Sequence, residues 1–212
     1  MLTVLSGALA GVVHVLSGPD HLAAIAPLAI ADQRRGWVAG CTWGIGHTSG
    51  VVTVAALAVL LRDVLPSVDL ISAWSERLVG AALIAVGLWA LRAGLRIGTA
   101  PHAHGPMTHE HVHVQAGPVL TRRLGHAHAS FLMGVLHGVA GSSHFLGVLP
   151  ALALPTRAAA LGYIAAFSGG SIVAMAGFGA ALGSAPGPRA RRAFMLSSAA
   201  AAFIVGGTWL VV

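Results

Sequence analysis

Five histidines and one aspartate stand where ionisable side chains are costly, inside long apolar runs: His14, Asp20, His21, His47, His137 and His144. His14 and His21 are seven residues apart, as are His137 and His144. Two turns of an α-helix return such positions to one face. Asp20 is the only acidic residue in the middle of an apolar block, and it adjoins His21. Imidazole with a carboxylate suits nickel, cobalt or zinc. Calcium and magnesium would want more oxygen ligands, and copper(I) would want sulfur. A single intramembrane histidine is often only a hydrogen-bond partner between helices, worth about 0.6 kcal/mol. That reading applies best to His47 taken alone, and a proton relay without metal is a further one.

These residues need helices to hold them. Of 212 residues, 56% are hydrophobic and 8% charged, with a mean hydropathy of +0.83, so the bilayer is the expected solvent. Runs of about 20 apolar residues predict six spans, over residues 2–30, 36–61, 70–95, 129–154, 158–184 and 193–212. The first is expected to begin with the chain itself, because MLTVLSGALAGVV lacks a basic leader region. Pro19 has no amide hydrogen to donate, so Ser17-Gly18-Pro19-Asp20 predicts a break within that span, freeing backbone carbonyls beside the histidines. Glycines at four-residue intervals, Gly36, Gly40 and Gly44 among them, predict close helix approach. Trp43 lies nearer the histidines than the other tryptophans do, where packing is the simplest role.

All twelve basic residues are arginines lying mostly between the apolar runs, so they mark topology rather than a nucleic-acid surface. If the spans alternate, nine arginines fall on one side and three on the other, which predicts an inner-membrane protein with both termini outside. The single cysteine, Cys41, excludes an internal disulfide and a thiolate metal cluster. The absence of lysine excludes a nucleotide-binding P-loop.

The chain also repeats itself. GVVHVLSGPDHLAAIAPLA, residues 11–29, aligns without a gap on GVLHGVAGSSHFLGVLPAL, residues 134–152, at an offset of 123, setting His14 on His137 and His21 on His144. The same offset sets Gly46 and Thr48 on Gly169 and Ser171. Three spans per half is an odd number, so the halves, residues 1–96 and 129–212, should insert with opposite orientation. Inverted halves are characteristic of secondary transporters, whose substrate site lies where the repeats meet. The expected fold is therefore an all-α polytopic membrane protein of two inverted three-helix repeats. Its site is asymmetric, because Ser143 replaces Asp20 in the second half.

Between the halves, residues 97–128 form a histidine-rich stretch expected to be cytoplasmic and without regular structure when metal-free. His102, His104, His109, His111 and His113 are its candidate auxiliary ligands, with His126 and His128 further along. A metal buffer or sensor is the specific reading, and a tolerant solvated linker the plain one.

The run His14-Val-Leu-Ser-Gly-Pro-Asp20-His21, with Gly46-His47-Thr48 and His137-Gly-Val-Ala-Gly-Ser-Ser-His144, resembles the nickel/cobalt transporter superfamily, and within it the short urease-accessory UreH-type members. The resemblance implies a carrier rather than an enzyme, with Ni2+ or Co2+ as transported substrate and no prosthetic group. Metal recognition would lie at His14, Asp20 and His21, and His47 would be a pathway residue. Expected partners are the cation, the bilayer, a second copy of the chain and proteins that mature nickel enzymes. Direction stays open: the histidine-rich stretch is similar to one in the efflux branch, the Asp-His pair to the uptake branch. Two other classes are a membrane enzyme with a histidine-ligated metal and an exporter of a small anion. The first should cluster its histidines at one membrane face, and the second should place basic groups in the pathway.

Overall fold

The computed structural model describes residues 1–31, 35–61, 68–97, 99–104, 107–112, 119–139, 150–151, 153–184 and 187–211. Among them seven helices form the body: α1 Leu2–Ser17, α2 Pro19–Ala31, α3 Gly36–Leu61, α4 Val68–Arg96, α5 Val119–Val139, α6 Arg157–Gly183 and α7 Gly187–Val211. One antiparallel hairpin, β1 Thr99–His104 with β2 Met107–Val112, lies between α4 and α5. Three helical stretches are long and apolar enough to cross a membrane, Glu76–Arg96, Arg157–Gly183 and Gly187–Val211, and α1 with α2 makes a fourth if the bent pair is one span. The body is thus an all-helical membrane protein.

The first span is broken where Ser17-Gly18-Pro19-Asp20 predicts. α1 and α2 meet at 76° across Gly18. A residue before proline is pushed out of the helical region, and Gly18 has φ −85° and ψ 102°. Pro19 then opens α2 at the position where its missing N–H is no loss, and the Gly18 carbonyl accepts from the Leu22 N–H at 3.3 Å. The two pieces have different surroundings. α1 carries Leu2, Leu5, Leu9 and Val13 exposed along its outer face. α2, 13 residues long and so about 20 Å, is buried at every position from Ala23 to Ile30. Apolar residues all round a helix mean a fully enclosed one. Ala26 and Ile30 pack with Ala90, Ala93 and Met195, Ile25 and Leu28 with Trp43 and Met175, and Ala23 and Ala24 with Val79, Leu83 and Ala202.

Small residues set the helix pairs, as their spacing predicts. α3 runs antiparallel to α6, with Gly36 against Gly179, Gly40 against Met175 and Gly44 against Ile172. α4 runs antiparallel to α7, where Gly80 and Gly206 face each other's carbonyls. α1 lies parallel to α6, with Gly7 on the Tyr163 carbonyl and Gly11 on that of Phe167. α3 lies parallel to α5, with Gly46 on the Phe131 carbonyl and Gly134 on that of Trp43. A Cβ on Gly11 or Gly134 would run into its partner's backbone.

Part of the 97–128 stretch, expected to lack regular structure, is paired, while the body keeps the expected all-helical class. Alternation of His with Ala and Thr suits a two-residue strand period, and residues 99–112 pair as a hairpin. α5 also begins at Val119, ten residues before the expected 129, because Val119-Leu-Thr-Arg-Arg-Leu is a proline-free run that contains strong helix formers. His144 and His113 lie outside the described residues.

Candidate metal centre

The elbow between α1 and α2 gathers the first two histidines. His14 sits in the last turn of α1 and His21 in the first turn of α2. On a straight helix a spacing of seven would leave them on one face but about 10.5 Å apart along the axis, and it is the bend at Gly18 that sets their rings 5.0 Å apart, edge to face. His47 arrives from the middle of α3, its ring 5.1 Å from that of His21 and 5.7 Å from that of His14. One ligand nitrogen from each of the three lies within 4.8 Å of the others. His21 and His47 are buried and His14 half-buried.

The closest approach carries chemical information. His21 Nε2 and His47 Nε2 are 3.3 Å apart. Two nitrogens bound at 2.0–2.1 Å to one tetrahedral ion would lie about 3.3 Å apart, so the pair already has the spacing of shared ligands. Asp20 approaches the other side of the His21 ring, with Oδ1 3.3 Å from Nδ1. A carboxylate on that side favours the tautomer with its proton on Nδ1, which would leave the Nε2 lone pair toward His47, the way outer partners commonly orient metal-binding imidazoles. Asp20 is itself buried. Its place in the geometry is beside His21 rather than within the group of three nitrogens.

His137, on α5, stands further off, its ring 6.1 Å from that of His21. Its Nδ1 pairs with the Met133 carbonyl at 3.0 Å. A carbonyl only accepts, so the proton is on Nδ1 and Nε2 carries the lone pair. His137 is thus a fourth imidazole in the neighbourhood, outside the close triad. His102, His104, His109 and His111 lie on the strands of the hairpin.

Trp43 has a larger part than packing alone would give it. It lies one turn before His47 on α3 and stacks on that ring at 5.0 Å and 15°, with its edge toward His21 at 5.3 Å and His137 at 5.6 Å. It is wholly buried, and Nε1 has no hydrogen-bond partner among the described residues. The four-residue spacing of Trp43 and His47 was the available sequence signal. Phe167 was not signalled: it closes the other flank, 5.4 Å from His14.

Three converging imidazoles, one carboxylate-oriented, in an apolar enclosure can bind a borderline divalent cation while leaving coordination positions open for exchange. The chain is similar to Chloroplast protein FOR GROWTH AND FERTILITY 1 of Arabidopsis thaliana, 36% identical over 181 residues that cover 84% of this chain and 49% of the relative. Its companion, FOR GROWTH AND FERTILITY 2, is 34% identical over 180 residues, 84% of this chain and 46% of the relative. The chain therefore spans about half the length of these relatives. Urease accessory protein UreH of Bacillus sp. (strain TB-90) is 28% identical over 190 residues, 86% of this chain and 77% of the relative. No family model matches the chain, and no solved structure matches it.

Proposed function

We propose that the protein is a secondary transporter of divalent transition-metal cations, with nickel or cobalt as substrate, and that His14, His21 and His47 form its binding centre. The observation that carries this is the convergence of three imidazole nitrogens within 4.8 Å at a broken helix inside an apolar body. Ionisable groups at such depth usually mark a pathway, and broken helices are a recurrent means of presenting ligands to ions at the centre of transporters. The likeness to a urease accessory protein supports nickel or cobalt over zinc.

The protein in this reading has six spans in two inverted halves. The antiparallel packing of α3 on α6 and of α4 on α7 supports it. So does the matched packing of the other pairs: Gly11 meets Phe167 and Ser171, and Gly134 meets Trp43 and His47 in the same way. That match shifts the correspondence in the second helix by one residue, so that His47 answers to Ser171. In the membrane we place both termini outside and the hairpin in the cytoplasm. The protein acts as a carrier and not an enzyme, without a prosthetic group.

The cation enters past half-buried His14, the most accessible of the three, and is held by His21 and His47. Asp20 keeps the Nδ1 proton on His21 and balances the charge of the arriving ion. Binding nitrogens must be deprotonated, so cation binding competes with protons and flux falls as pH is lowered. His144 and a homo-oligomeric assembly complete the reading, with nickel-enzyme maturation proteins as recipients.

Purified protein in liposomes, loaded with a metal-sensitive dye and offered Ni2+, Co2+, Zn2+ or Mn2+, tests the proposal. Saturable Ni2+ or Co2+ flux that disappears in His21→Ala and His47→Ala is expected. Undiminished flux in both variants overturns the site, and absence of flux for every cation overturns the function.

A further inference from the structure

We infer that Gly18 is a positioning residue for the metal centre, glycine because the His21 ring and the Asp20 carboxylate occupy the place its side chain would take. The bend itself does not ask for glycine. At φ −85° and ψ 102° Gly18 lies in extended backbone open to L-residues, and the proline after it favours that region for whatever residue precedes it. A Cβ added there would collide with Nδ1 of His21, and would stand 2.7 Å from its Cε1 and 3.0 Å from Oδ1 of Asp20. All three atoms belong to side chains. At Gly11 and Gly134 the added Cβ meets the backbone of a neighbouring helix, so those glycines serve packing. Gly18 serves a ligand.

The ring is enclosed. His21 is 2% exposed, and the rings of His14, His47, Trp43 and His137 stand 5.0, 5.1, 5.3 and 6.1 Å from it, centroid to centroid. A group so packed answers added volume by leaving its rotamer or displacing its neighbours. The methyl would press on both atoms of the Nδ1 to Oδ1 pair at 3.3 Å, and so on the ring whose Nε2 lies 3.3 Å from that of His47. Both contacts that shape the centre therefore depend on the missing side chain. Glycine replaced by alanine ordinarily stabilises where the backbone allows it, because the unfolded chain loses freedom. Gly18 thus gives up stability to leave room for His21, as functional sites often do. The inference deepens the proposed metal centre and rests on it.

Two measurements on the full-length chain in detergent micelles test this. The first is the melting temperature of metal-free protein. Gly18→Ala alone should leave it level or lower it, whereas in a His21→Ala background the same substitution should raise it by about 1–4 °C, because the obstructing ring is gone. Such dependence on a neighbour is the mark of contact. An equal change in both backgrounds overturns the inference: a shared fall would assign the glycine to the bend, and a shared rise would leave the ring unobstructed. The second is Ni2+ binding by equilibrium dialysis, where the share lost in His47→Ala belongs to the centre. Gly18→Ala should weaken that share about tenfold or more, as disturbing the partner of a metal-binding imidazole does, and unchanged affinity overturns the inference. If the unsubstituted chain binds no Ni2+ that His47→Ala removes, the proposed centre fails, and the melting comparison alone decides whether Gly18 makes room for His21.

Discussion

Two interfaces in the body are built alike and furnished differently. Where α5 crosses α3, Gly134 lets the backbone close on Trp43 and His47, and the Trp43 ring lies 5.6 Å from His137. Where α1 crosses α6, Gly11 closes in the same manner on Phe167 and Ser171, and the Phe167 ring lies 5.4 Å from His14. Each interface has one glycine, one aromatic ring and one histidine in matching places. The difference is the residue one turn beyond the aromatic ring. In one interface it is His47, directed to His21. In the other it is Ser171, whose hydroxyl donates to the Gly11 carbonyl at 3.3 Å. Matching packing thus frames both interfaces, and in the proposed centre His47 joins His14 and His21 from a position where the other interface carries a serine.

The strongest way to break this contrast is to remove both residues in turn. His47→Ala should lower Ni2+ flux in liposomes by about 100-fold or more, beyond the range for losing an outer partner, while Ser171→Ala changes it by no more than about twofold, as an intramembrane hydrogen bond averages about 0.6 kcal/mol. Equal losses would mean that Ser171 matters to the centre as much as His47 does. Asp20→Asn comes next. It preserves shape but weakens the hold on the His21 tautomer, so Ni2+ affinity should drop about 10- to 100-fold. If the drop matches that of His21→Ala, the carboxylate is itself a ligand.

The glycines test the common frame. Gly11→Ala and Gly134→Ala each place a methyl group against a carbonyl, and each should cost about 1–3 kcal/mol, the range for overpacking. Thermal unfolding in detergent checks that the two costs agree within error; a large disparity would argue against matched interfaces. The smallest effect is expected at His137→Gln, about threefold in flux, corresponding to a hydrogen bond of about 0.6 kcal/mol. A loss as large as that of His47→Ala would bring the second half into the coordination sphere.

Much of the first half of the site was legible in residue order. Pro19 acts on its immediate neighbours, so the break at Gly18 follows from local sterics, and the apolar runs follow from the solvent. That His14 and His21 share a face was legible from their spacing, but two turns of straight helix would hold them about 10.5 Å apart, and the 76° bend is what brings their rings together. The match of His47 with Ser171 was hidden because a shift of one residue between successive helices is invisible in an ungapped comparison. The hairpin was hidden for a related reason. Register is a relation between two strands and not a property of composition, which there signalled only metal affinity. The early start of α5 shows helix propensity prevailing in a segment whose histidine content had suggested a linker.

Trp43 gives the protein an optical gauge of its own. Its indole lies flat on the imidazole of His47, 5.0 Å away and sealed from solvent. Nickel and cobalt ions have unpaired electrons and partly filled d shells that drain the excited state of an adjacent indole. Arrival of the ion at His47 should therefore darken this tryptophan ahead of Trp37 and Trp74, which lie on the exterior. Occupancy can then be followed turnover by turnover without a dye, and Trp43→Phe supplies the blank.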